Sequence, residues 1–332
     1  MVAGDLMVII CIFLGLILFL GGLKIMSAGL VQLGGSSFAQ AVRQWTGHRS
    51  SAFLVGILFT AFTQSSSLAT VIVVGMVDAR VIGLGAAIGV IVGANVGTTI
   101  TGQLVSFRLY DYAPLLVAAG TIILLSQQNG GKREVGRVLL GLGILLTGLN
   151  TMSSFLAPQA ETAWAAEFLE VAAINPLVAI LAGAAITAIV QSSSAVMALT
   201  IALAEEGALP LSAGFGILVG ADVGTCVTSL LAGLGMGVNA RRAAAAHLVF
   251  NLFSVAVVLP IFQLFITVAV ASADTVPRQL ANAHTIYNLC GAVILLFFLS
   301  PFQWLIERLI MPKNTMKRRI LTKFGEIIEK WF

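Results

Sequence analysis

Thr60-Ala61-Phe62-Thr63-Gln64-Ser65-Ser66-Ser67 returns later in the chain as Thr187-Ala188-Ile189-Val190-Gln191-Ser192-Ser193-Ser194. Downstream, Gly93-Ala94-Asn95-Val96-Gly97-Thr98 returns as Gly220-Ala221-Asp222-Val223-Gly224-Thr225. Both echoes have an offset of 127 residues, and no gap is needed between the motifs. Upstream, Gly22-Leu23 and Met26-Ser27 match Gly148-Leu149 and Met152-Ser153 at an offset of 126. One short match can arise by chance, but two motifs in one register mark an internal duplication.

The duplicated motifs lie in a chain whose solvent is lipid. Of 332 residues only 10% are charged, where a soluble domain carries about 25%, and mean hydropathy is +1.02. Apolar stretches long enough to span, roughly 20 residues each, are read at 6–33, 50–77, 81–107, 113–127, 136–156, 176–204, 211–234, 243–271 and 282–306. The first carries Asp5 where a signal peptide has a basic region and outlasts a signal's apolar core, so it reads as a spanning helix. Three Cys, with Cys11 and Cys290 in apolar runs, exclude a disulfide framework. The net charge of +4 calls for no nucleic acid, because six of the 18 Lys and Arg fall in the last twenty residues. A polar linker at 157–175, with Glu161, Glu167 and Glu170 and no basic residue, divides the chain.

Charge placement orients the halves. If the basic C-terminal tail is cytoplasmic and each Gln-Ser-Ser-Ser segment is a re-entrant hairpin, cytoplasmic loops hold Arg43, Arg49, Arg80, Lys132, Arg133, Arg137, Arg241 and Arg242. External loops then hold only Arg108 and Arg278, as the positive-inside tendency requires. Each half has three crossings plus a hairpin, so the second is inverted relative to the first. The expected fold is an all-α polytopic protein of the plasma membrane, N-terminus outside and C-terminus cytoplasmic. It comprises a first repeat at 1–130, an inverted second repeat plus an extra helix at 131–312, and a tail at 313–332.

Four consecutive polar residues do not suit a lipid-facing helix, and Ser prefers helix caps to helix interiors. Two half-helices meeting at a break satisfy the sequence, provided the freed backbone lines a protected cavity. A half-helix that starts at the serines offers free N–H groups and the positive end of its dipole to an anion. Gln64, Ser65, Ser66 and Ser67, with Gln191, Ser192, Ser193 and Ser194, are therefore candidate anion-binding residues. A single Ser triplet would read as interhelical packing glue, worth about 0.6 kcal/mol per bond; two in register, each preceded by Gln, do not.

The second motif lies on a small-residue stripe, Gly85, Gly89, Gly93 and Gly97, matched by Ser212, Gly216, Gly220 and Gly224, which lets backbones approach closely. Beside it stand Asn95, Thr98, Thr99 and Thr101 in one half and Asp222, Thr225 and Thr228 in the other. Such oxygens at a helix break suit a hard cation, and no His/Cys cluster invites a transition metal. Asp222, an acid inside an apolar segment, is a functional candidate by default. His247-Leu248-Val249-Phe250-Asn251 and His284-Thr285-Ile286-Tyr287-Asn288 share His-x-x-aromatic-Asn; each His and Asn fall on one helix face and are read as hydrogen-bonding neighbouring helices, with a proton or substrate role as the alternative. Lys24 reads as a snorkelling residue. The tail alternates Ile320, Phe324 and Ile327 with Lys317, Arg318, Arg319 and Lys323, an interfacial helix for anionic lipid.

The paired Gln-Ser-Ser-Ser and Gly-Ala-Asn/Asp-x-Gly-Thr motifs resemble the sodium–phosphate cotransporter family, over residues 8–305. The resemblance implies an inverted-repeat transporter, not an enzyme, with inorganic phosphate held between the two Gln-Ser-Ser-Ser segments. It implies no cofactor beyond sodium as the coupling ion, for which Asn95, Thr98, Asp222 and Thr225 are the candidate ligands, and leaves a homodimer open. The halves differ where Asn95 is matched by Asp222 and Thr99 by Cys226. Moving two negative charges inward against 100 mV costs about 4.6 kcal/mol; two sodium ions cancel this, and a third adds about 2.3 kcal/mol of drive. Carriage of another oxyanion, and phosphate export, are compatible with the same motifs. A channel is the third possibility. An intramembrane hydrolase using Ser66 or Ser193 with His247 or His284 lacks a Gly-x-Ser-x-Gly turn.

Overall fold

The computed structural model of the chain describes residues 2–33, 49–107, 109–127 and 130–312. The basic tail at 313–332, Arg43 and Arg108 lie outside the described residues. The described residues are mostly helical, with no strand among them: α1 (Val2–Leu33), α2 (Arg49–Thr63), α3 (Ser66–Asp78), α4 (Leu84–Val105), α5 (Ala113–Ser126), α6 (Gly131–Leu156) and α7 (Ala163–Ile174), followed by α8 (Pro176–Val190), α9 (Ser193–Glu205), α10 (Leu211–Gly233), α11 (Val238–Val258), α12 (Phe262–Ser272), α13 (Val276–Phe297) and α14 (Leu299–Leu309). The 127-residue register carries α2 onto α8 and α3 onto α9 end for end.

Among the described residues, six helical segments are long and apolar enough to cross a membrane: Leu6–Leu33, Leu84–Val105, Gly131–Glu161, Leu211–Gly233, Val238–Ser272 and Val276–Phe297. The chain is a multi-pass membrane protein. By contrast α3 and α9, 13 residues each, reach about 20 Å, short of a hydrocarbon core of about 30 Å. The apolar stretch expected at 282–306 divides at Phe298 between α13 and α14. The expected linker at 157–175 is largely helical: Ala, Leu and Glu favour α7, and Trp164, Phe168 and Val171 recur on one face. Asn175 ends α7, because a residue before proline is disfavoured in a helix, and the chain bends by 118° into α8. The Asn175 carboxamide accepts the Leu177 N–H, capping α8.

Glycines set the pairing of the long helices. α1 crosses α6 where a Cβ on Gly22 would lie 2.3 Å from Leu145 N and one on Gly148 would lie 2.4 Å from Phe19 N. α2 runs alongside α4 in the same direction, Gly93 meeting Phe53 and Gly97 meeting Ile57 and Thr60. α8 runs alongside α10 in the same way, Gly220 meeting Ile180 and Gly224 meeting Ala184 and Thr187. A Cβ on Gly93 or Gly220 would come within 2.0 or 1.9 Å of a backbone oxygen, so only glycine permits these approaches.

The ends of α4 and α10 are placed by contacts between the halves. Asp78, which closes α3 just before α4 begins, accepts the N–H of Gly237, just beyond the end of α10, at 2.8 Å. Towards the other end of α4, Gly102 lies against Met197 and Ile201 of α9, which leads into the start of α10. Arg242 caps α14, donating to the carbonyls of Ile310 (3.0 Å) and Glu307 (3.2 Å).

Candidate functional site

Each Gln-Ser-Ser-Ser segment is a helix break, and the two breaks share one geometry. Gln64 and Gln191 hold left-handed backbone, φ 53° and 60°, a conformation uncommon for residues other than glycine. The N–H of each returns to the carbonyl of Thr60 or Thr187 at 2.7 Å, closing the first arm. Ser65 and Ser192 are extended, φ −147° and −144°, and accept the N–H of Leu68 and Ala195 at 3.2 Å, opening the second arm as N-caps. Ser66, Ser67, Ser193 and Ser194 therefore occupy the first turns of α3 and α9, where helix N–H groups lack intrahelical partners.

The glutamine amides are fixed in the same way in both halves. Gln64 Nε2 donates to Ala61 O at 2.5 Å, and Gln191 Nε2 donates to Ala188 O. Thr101 of α4 donates to Gln64 Oε1 at 2.5 Å, and Thr228 of α10 donates to Gln191 Oε1 at 2.9 Å. Thr101 and Thr228 also lie 127 residues apart, a register from which their partnership with the glutamines could have been read. Ser194 Oγ donates to the Gln64 carbonyl at 3.4 Å, so the two breaks meet. Thr60 and Thr187, both fully buried, hold hydroxyls with no hydrogen-bond partner among the described residues.

Asn95 and Asp222 belong to one buried network. Asn95 Nδ2 donates to Asn251 Oδ1 at 2.6 Å, and Asn251 Nδ2 donates to the Asp222 carbonyl at 3.1 Å. His247 Nε2 donates to Asn95 Oδ1 at 3.2 Å, while Ser229 Oγ lies 3.1 Å from its Nδ1. The Asp222 carboxylate, 4% exposed, accepts from His284 Nε2 at 3.1 Å and Asn288 Nδ2 at 2.9 Å through Oδ2. Each His-x-x-aromatic-Asn echo thus clamps one motif, the first at Asn95 and the second at Asp222. Thr98 and Thr225 turn their hydroxyls back to the carbonyls of Ala94 and Ala221 in their own helices. Asn95 and Asp222 are brought together through Asn251, and the two threonine hydroxyls are not. Asn251 and Asn288 were legible only as half of a weak echo, since nothing local announces a contact across helices. Among the described residues no cluster of His, Cys, Asp or Glu is arranged to hold a metal ion.

The model of the Na+/Pi-cotransporter family matches residues 18–154 and 158–297, two segments that take in both breaks and both Gly-Ala-Asn/Asp motifs. The uncharacterized protein YqeW of Bacillus subtilis is 31% identical over 312 residues, 92% of this chain and 100% of its own length. YjbB of Escherichia coli, provisionally named an inorganic phosphate export protein, is 24% identical over 310 residues. That alignment covers 93% of this chain but 57% of YjbB, so the chain spans little more than half the length of that relative. The sodium-dependent phosphate transport protein 2B of Pongo abelii is 36% identical over 110 residues, 30% of this chain and 16% of its own. No solved structure matches the chain. With two like helix breaks in one register and a family match running through both, the chain belongs to the Na+/Pi-cotransporter family of phosphate transporters.

Proposed function

We propose that the protein carries inorganic phosphate across the membrane together with sodium, by alternating access between two inverted repeats. The meeting of two like helix breaks carries the reading: Ser194, in the first turn of α9, reaches the carbonyl of Gln64, which stands just before the Ser65 cap of α3. Phosphate would bind there, between Gln64, Ser65, Ser66, Ser67 and Gln191, Ser192, Ser193, Ser194, with Ser65 and Ser192 holding the caps that aim the other donors. Neutral donors hold an anion without the slow release that a buried arginine clamp would impose. Sodium would bind alongside, at oxygens of Asn95, Thr98, Asp222 and Thr225.

The inverted arrangement is supported by direction. α4 starts beside Asp78 whereas α10 ends beside it, through Gly237. α2 follows α4 and α8 follows α10, while α3 and α9 lead back to the starts of α4 and α10. Each pair then enters and leaves on one side, as re-entrant hairpins do. Efflux through the same site is a second reading, favoured by the name of the Escherichia coli relative.

Radiolabelled phosphate flux in proteoliposomes tests both readings, with sodium gradients imposed in each direction. Uptake driven by inward sodium, and much weaker with potassium or choline, is expected. Equal flux with all three cations would refute sodium coupling, and net phosphate exit against an inward sodium gradient would favour export.

A further inference from the structure

The halves agree in register but differ in their hydrogen bonds, and the differences point one way. In the first half, Ser27 of α1 donates to the Thr63 carbonyl at the end of α2, at 2.7 Å. There α1 packs on α2, and Gln64 is buried at 4% exposure. The repeat gives Ser27 a counterpart in Ser153 of α6, and Thr63 a counterpart in Val190 of α8. The corresponding bond is not made. Ser153, only 2% exposed, donates instead to the Asn150 carbonyl of its own helix at 3.2 Å. α6 packs on α9, and Gln191 is exposed. Beside this half a polar cavity of about 370 Å³ opens between Ser154, Pro158 and Glu161 on one side and Glu206, Gly207 and Ala208 on the other.

A buried hydroxyl with an idle intrahelical bond, whose twin is engaged across helices, is what two exchanging halves require. In an inverted pair each half adopts in one state the conformation its twin holds in the other. We infer that Ser27 and Ser153 are positioning residues that alternate during transport. In the state described here Ser27 clamps α2 to α1 and the second half is open. In the opposite state Ser153 takes the Val190 carbonyl and clamps α8 to α6, while Ser27 returns to a carbonyl of α1. The inference rests on the inverted-repeat transport reading above. Serines serving only as packing would give no such opposition, because loss of either would loosen the molecule alike.

An Ala208→Cys reporter in proteoliposomes, labelled by an impermeant thiol reagent against the parent chain as background, reads how often the cavity is open. Ser27→Ala removes a bond made only in the open state and should slow labelling about two- to tenfold, the weight of one neutral hydrogen bond. Ser153→Ala removes a bond made only in the opposite state. Added to Ser27→Ala it should restore the rate by a similar factor. Ser27→Thr, which keeps the hydroxyl, should label like the parent. A double variant as slow as Ser27→Ala or slower, or a folded Ser27→Ala with unchanged labelling, would overturn the inference. Radiolabelled phosphate uptake is read separately in the same proteoliposomes. Uptake without opposed labelling shifts overturns the exchange alone, and opposed shifts without uptake uphold the exchange and overturn the cargo assignment.

Discussion

Replacing Thr101 by Val removes one hydroxyl at nearly constant volume, and so isolates the 2.5 Å bond that ties Gln64 Oε1 to α4. Gln64 is 4% exposed, so water cannot take the hydroxyl's place and a buried acceptor is left unsatisfied. That penalty is about 1–3 kcal/mol, or about five- to a hundredfold in phosphate affinity if the Gln64 amide belongs to the site. Thr228→Val removes the same bond from Gln191, but Gln191 is exposed, and where its surroundings are wet water replaces the donor. The loss should then stay below about 1 kcal/mol, under about fivefold. Equilibrium binding of radiolabelled phosphate to purified protein measures both variants, with thermal unfolding to verify that each is folded. Thr101→Ser and Thr228→Ser should behave as the parent. Equal losses in the two valine variants, or the larger loss in Thr228→Val, would refute the argument from burial.

Ser66→Ala and Ser193→Ala should each weaken phosphate binding about ten- to a hundredfold, the range for a hydrogen bond of about 1.5–3 kcal/mol to a charged partner; unchanged binding in both folded variants would return these serines to a packing role. Single cysteines at Glu161 and Glu206, which border one cavity, should react with an impermeant reagent from the same face of intact cells, while cysteines at Lys132 and Arg241 stay protected. Reaction of Glu161→Cys and Glu206→Cys from opposite faces would contradict the inverted topology. Asp222→Asn keeps an acceptor for His284 and Asn288 but removes one charge, so half-maximal transport should need more sodium and the charge moved per phosphate should change. Sodium dependence and charge movement identical to the parent would make Asp222 structural.

Much of the architecture was legible because duplication doubles every signal. One Ser triplet is ambiguous, but two in a 127-residue register located both helix breaks, and α2 and α8 begin and end in that register. The glycine stripes announced close approach, and Gly93 and Gly220 make it. What escaped lies between elements. Asn251 joins Asn95 to Asp222 although it is 156 residues from the first, a separation that no local periodicity reports. The acidic stretch at 157–175 looked like a linker because its Glu residues lower its hydropathy, yet those residues are good helix formers and α7 results. The unequal bonding of Ser27 and Ser153 cannot be read from a repeat, which makes the halves look alike.

The bond from Ser194 to the Gln64 carbonyl also sets an order on synthesis. Its two residues lie 130 apart in the chain, so at about 5–20 residues per second the second arrives roughly 6–26 s after the first. Thr101, the partner of the Gln64 side chain, follows much sooner, since it is only 37 residues away. The first half can therefore tie down its glutamine amide early and hold α2 against α4, but one face of its break stays open until the second half has been made as far as the start of α9. During that interval a polar cleft waits in or beside the bilayer for its other wall. The nascent chain has to be sheltered there by the insertion machinery, or by a provisional fold that the second half later displaces.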